Sequence, residues 1–174
     1  MAMTLEAIST MLDELEFTHT LRTEDSMIFA GGGSSDNRLG YFIDLQEDGE
    51  IFQMDARPLD DNGDLVKAKD HKHLNVLMSY LLLRNYQTKF GTWEYNNENG
   101  TVRLMVEIPL EDNDLTKKQL NRIIKMMLSC SKETGDIKHI LAHGSLPLEG
   151  DDAAKRIAEL EAMLAQLQGS TSGI

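Results

Sequence analysis

Residues 71–110 read HKHLNVLMSYLLLRNYQTKFGTWEYNNENGTVRLMVEIPL, and this stretch decides the fold. Leu74, Leu77, Met78, Leu81 and Leu82 recur at three- and four-residue spacing, which predicts a helix with one broad apolar face. Asp70, just before it, is a good N-cap type. Further on, Val102, Leu104, Val106 and Ile108 alternate with Arg103, Met105 and Glu107, the period of a half-buried strand. Asn99-Gly100 supplies positive φ for a turn at little cost, so 91–95 becomes the antiparallel partner of 101–109. A helix laid on an antiparallel hairpin starts an α+β core.

Working outward towards the N-terminus, residues 4–17 predict an amphipathic helix through Leu5, Ile8, Met11, Leu12 and Leu15, with Thr4 placed to cap it. Strands are expected at 26–30, 39–45 and 50–58, the last two joined by the Asp48-Gly49 hairpin signal. The glycine-rich run 31–37 lacks the Gly-Lys-Ser/Thr ending of a phosphate loop and reads as a loop. Asp44, Asp48, Gly49 and Asp55 fall at positions one, five, six and twelve of a calcium-loop spacing. Gln46 is a weak ligand at position three, however, and the flanks alternate like strands where that motif needs helices. The acidic 59–70 connection, with Asp60, Asp61 and Asp64, reads as a solvated loop.

Towards the C-terminus, Thr116 and Gln119 have capping-box spacing. Leu120, Ile123, Ile124, Met127 and Leu128 form the buried face of the helix they open, and a bend is expected at Gly135 before the stripe Ile137, Ile140 and Leu141. Residues 143–150 carry Gly, Ser and Pro and read as a linker. Beyond them, 151–168 predicts a helix of another character. Ile157, Leu160, Leu164 and Leu167 follow 3-4-3 spacing, a narrow seam suited to a partner helix, and are the expected partner-binding residues. Two heptads are too short to pair stably by themselves, so this helix either packs back on its domain or zips with a partner. Residues 169–174 give no reason for order.

With 174 residues and 41% hydrophobic composition, the chain supports one domain with extensions. Its net charge of −12 repels phosphate backbones and anionic lipid, which argues against nucleic-acid and membrane partners. No apolar run reaches spanning length, and the N-terminus lacks a basic start, so cytoplasm is the expectation. The lone cysteine, Cys130, sits among Met126, Met127 and Leu128 and reads as buried filler. His71 and His73, about 200° apart on a helical wheel, cannot chelate together. His139 and His143 have the spacing of a two-histidine metal face but no evident third ligand. Neither a catalytic site, a metal nor a cofactor is expected: no carboxylate pair stands out by spacing, and there is no nucleophile elbow.

The expected element order is α-β-β-β-α-β-β-α with an extra C-terminal helix. That order resembles the YbjN family, which is similar in fold to the class I type III secretion chaperones. The likeness covers residues 4–142. It is carried by the helix end Tyr80-Leu81-Leu82-Leu83-Arg84-Asn85-Tyr86, the hairpin entry Phe90-Gly91-Thr92-Trp93 and the strand closing in Glu107-Ile108-Pro109-Leu110. The resemblance implies an α+β domain at 1–142 in a small, acidic, homodimeric protein that binds a protein client, and it lends no catalytic residues. The ten methionines suit an adaptable apolar surface as well as ordinary core filling. The alternative is a small-molecule or ion-responsive regulatory protein of the sensory-transduction kind, using a cavity or the acidic loop.

Overall fold

The computed structural model describes residues 3–32, 37–111 and 113–147. Helix α1 (Leu5–Glu14) leads into four strands, β1 (Thr20–Arg22), β2 (Met27–Gly32), β3 (Leu39–Gln46) and β4 (Ile51–Pro58). Then come helix α2 (Leu74–Gln87), the hairpin β5 (Thr92–Tyr95) and β6 (Val102–Pro109), and helices α3 (Lys117–Ser129) and α4 (Lys132–His143). The strands form one antiparallel sheet in the order β1-β2-β3-β4-β6-β5. The α+β class is as expected. The element order differs by the edge strand β1 and by a split of the third helix.

Each difference has a local cause. Strand β1 has three residues, too few to show a period, and is recruited by pairing Thr20 with Phe29 and Arg22 with Met27. Gly31 and Gly32 do not leave the sheet, as a glycine-rich loop would; they stay in β2, opposite Gly40 and Leu39. The helix break falls at Cys130, not Gly135. Cys130 caps α3, and Gly135 lies inside α4 where a Cβ would come within 2.6 Å of the Asn37 side chain. Its glycine therefore answers to close approach. Asp70 does not cap α2 either. The Ala68 N–H bonds the Gly100 carbonyl at 2.8 Å, holding the incoming chain on the hairpin, and Asp70 turns at φ +56 before the helix starts at Leu74.

Other local expectations match. Thr4 Oγ1 accepts the Ala7 N–H at 3.2 Å, and Thr116 with Gln119 forms the reciprocal capping box. The Asp48-Gly49 segment turns tightly between β3 and β4, with both residues at positive φ and the strands paired on either side, so a calcium-loop geometry is excluded there.

Alternation along the strands sorts the sheet into two faces. Ile28, Ala30, Tyr41, Ile43, Phe52, Met54, Ala56, Leu104 and Val106 are buried on the inner one. Against it pack Ile8 and Leu12 of α1, Leu77 and Leu81 of α2, Leu120, Ile123 and Met127 of α3, and Ile137 and Ile140 of α4. Cys130 is part of this core, and burial pushes its thiol pKa up, away from reactivity.

Candidate protein-interaction surface

Helix α2 is held by two neighbours. On one side, Asn85 binds the backbone of Trp93 in β5, accepting its N–H at 2.7 Å and donating to its carbonyl at 3.0 Å. On the other, Tyr80 donates its hydroxyl to Asp136 at 2.6 Å, and Arg84 pairs with the buried carboxylate of Glu133, both acids on α4. Burial and the Asp136 bond together raise the Tyr80 pKa far above the phenol range, so the ring stays a neutral donor. These contacts fix which way the helix faces.

What they leave outside is apolar towards the helix C-terminus. Leu77, Tyr80 and Leu81 point inward, while Leu82 is 66% exposed, Leu83 44% and Tyr86 90%. Phe90 follows, also exposed, in the connection to β5. Leu82 therefore leaves the buried face that its three- and four-residue spacing predicts. The three consecutive leucines 81–83 span about 200° of helix, more than one face can bury. Arg84 is the one charged side chain in all of α2. Exposed leucine and tyrosine side chains gathered towards the C-terminal end of a surface helix form a patch of the kind that marks an interaction site.

The open face of the sheet is chemically closed by comparison. Arg22 lies over the Phe29 ring at 5.1 Å, Phe29 against Phe42 at 5.3 Å, and Arg57 over Phe42 at 4.3 Å. Arg57 then grips Asp55 through two bonds of 2.7 Å, and Arg103 bridges Asp55 at 3.8 Å to Glu94 at 2.8 Å. Burial raises the Asp55 pKa, with the two guanidinium groups opposing that rise. Each charge in this ladder already has a partner, which leaves little to offer a ligand. The aromatic rings also roof Gly40, where a Cβ would meet both Phe42 and Phe29.

Asp60 accepts the N–H groups of Asn62 and Asp64 at 2.9 Å each and so organises its own turn, while Asp61 pairs with Lys138 at 3.2 Å. His71 lies before α2 and accepts the His73 N–H at 3.2 Å; the rings of His139 and His143 stand 4.6 Å apart on α4. Among the described residues no group of three or more His, Cys, Asp and Glu is arranged to hold a metal ion. None of their helices is long and apolar enough to cross a membrane. Ile157, Leu160, Leu164 and Leu167 lie outside the described residues.

The sequence matches the YbjN family over residues 4–134, three-quarters of the chain. This protein belongs to the YbjN family. That family is described as "Putative bacterial sensory transduction regulator". The structure is similar to the crystal structure of YbjN from E. coli, with a TM-score of 0.56 and 13% identity over 83% of this chain and 96% of that one. It is also similar, at a TM-score of 0.48 each, to a chain of the HopA1-SchA chaperone-effector complex and one of the ExsC-ExsE complex. Identities there are 13% and 16%, covering 72% and 76% of this chain and 88% and 95% of those. A search of curated proteins finds no significant match. At these identities the structural likeness speaks for the fold alone.

Proposed function

We propose that this YbjN-family protein is a non-enzymatic, protein-binding chaperone or adaptor that assists assembly or regulation of a client protein. The observation that carries this reading is the outer face of α2, where Leu82, Leu83 and Tyr86 stand in water on a helix whose orientation is fixed by Asn85, Tyr80 and Arg84. A rigid helix face of this kind suits an apolar segment of a partner, with Tyr86 as an aromatic anchor. The homodimer and the cytoplasmic location implied by the sequence belong to the same reading. Its acidic surface disfavours nucleic acid and anionic lipid as alternatives.

The test is quantitative capture from the native cell extract with the full chain beside a Leu82→Asp/Tyr86→Asp variant. A stoichiometric protein bound by the first and lost from the second supports the reading. Equal capture by both overturns the assignment of the surface.

A further inference from the structure

We propose that residues 151–168 dock in cis on the outer face of α2, laying Ile157, Leu160, Leu164 and Leu167 against Val76, Ser79, Leu83 and Tyr86.

The last described residues already lead there. Helix α4 ends at His143, and Gly144 caps it in the left-handed region at φ +72, donating its N–H to Ile140 at 2.7 Å. A side chain at Gly144 would overlap the His73 imidazole, so the chain leaves α4 in direct contact with the start of α2. Two residues on, Leu146 joins Asn75, Val76, Ser79, Tyr80 and Leu83 around a shallow, mainly apolar groove of about 400 Å³. The chain therefore reaches 147 while seated on the helix in question.

The two surfaces match in period and length. Positions 76, 79, 83 and 86 of α2 follow 3-4-3 spacing, as do 157, 160, 164 and 167. Each set spans about 15 Å of helix, so Val76, Leu83 and Tyr86 can meet apolar side chains on either side of the small polar Ser79. The four steps from 147 to 151 can stretch about 13 Å, and Leu146 already lies beside Val76, Ser79 and Leu83, so the segment starts within reach of the seam. Attachment also decides between occupants. Two heptads make too small a seam to pair separate molecules at ordinary concentrations, whereas a short tether supplies an effective concentration of the order of millimolar.

Docking in cis does not depend on the adaptor reading, but it would make the tail a placeholder that a client displaces. Hydrogen exchange on the full chain tests it. The amides of 151–168 should exchange at least about ten-fold more slowly in the wild type than in Leu83→Asp/Tyr86→Asp or in Leu160→Asp/Leu164→Asp. That protection should not change with protein concentration. Leu83 and Tyr86 are exposed, and an unchanged emission of the buried Trp93 in both variants confirms that the domain is intact. Absence of protection in the wild type overturns the proposal. So does protection that grows with concentration alongside a doubling of mass, which would assign the face to a second copy. Absence of any captured client on the wild type, with tail protection intact, would fail the adaptor reading alone.

Discussion

The side chain of Asn85 stands in for a missing neighbour strand beside Trp93. Strand β5 is the last in the sheet, so the outward N–H and carbonyl of Trp93 have no strand to pair with; Asn85 satisfies both, at 2.7 and 3.0 Å. One amide thus closes a sheet edge and anchors α2 at once. Asn85→Ala leaves both buried groups unpaired and should cost about 2 kcal/mol in chemical denaturation. Trp93, the one tryptophan, is buried next to this contact, and its fluorescence reports the unfolding directly.

The seam between α2 and α4 should be more sensitive still. Glu133 is buried, and Arg84 is its partner. Arg84→Ala leaves that carboxylate uncompensated, and a loss of about 3 kcal/mol is expected. Tyr80→Phe removes one hydrogen bond to Asp136 and should cost about 1 kcal/mol. Equilibrium unfolding in urea ranks the two, and the reverse order would contradict the burial argument.

Asp55 gives a pH dependence whose sign follows from its raised pKa. Between the ordinary carboxyl value near pH 4 and its higher folded value, the native state holds a proton that the unfolded chain has released. Stability from this group is therefore greatest at low pH and falls as pH rises through that window. Melting temperatures of the wild type and Asp55→Asn, compared from about pH 4 to 7, should show the wild type losing ground to the variant as pH increases. A wild type that gains on the variant would mean that Arg57 and Arg103 outweigh the desolvation.

Gly144 should be intolerant of any side chain. It combines φ +72 with contact against the His73 ring. Gly144→Ala is expected to destabilise by about 1 kcal/mol or more, through left-handed strain and the displaced imidazole. Thermal unfolding checks this, with Gly63→Ala as the comparison: Gly63 has φ +90 but open space around it, so only the backbone term applies.

How far the sequence revealed these features depended on how local their causes are. Thr4 and Thr116 were legible as caps because a cap is written within four residues. The strands β3, β4 and β6 were legible because eight residues show a clear alternation. Strand β1 and the start of α2 were not, since both depend on distant backbone: Phe29 recruits Thr20, and Gly100 holds Ala68. Gly135 misled because a glycine signals a break only when no neighbour explains it, and Asn37 lies nearly a hundred residues away in the chain. The interaction face was half legible. The run Leu81-Leu82-Leu83 shows that α2 has more apolar surface than one face can bury, but which leucine is left outside is set by Asn85, Tyr80 and Arg84, whose partners only the fold brings together.

Capture by the outer face of α2 is the central claim, and the most direct measurement is affinity capture from native extract with stoichiometry determined by mass. The wild type and Leu82→Asp/Tyr86→Asp should melt within about 0.5 kcal/mol of each other, because both positions are exposed. A stoichiometric protein partner is expected on the wild type and none on the variant. An identical partner set on both would contradict it, and so would an absence of protein partners combined with a small molecule that raises the melting temperature dose by dose.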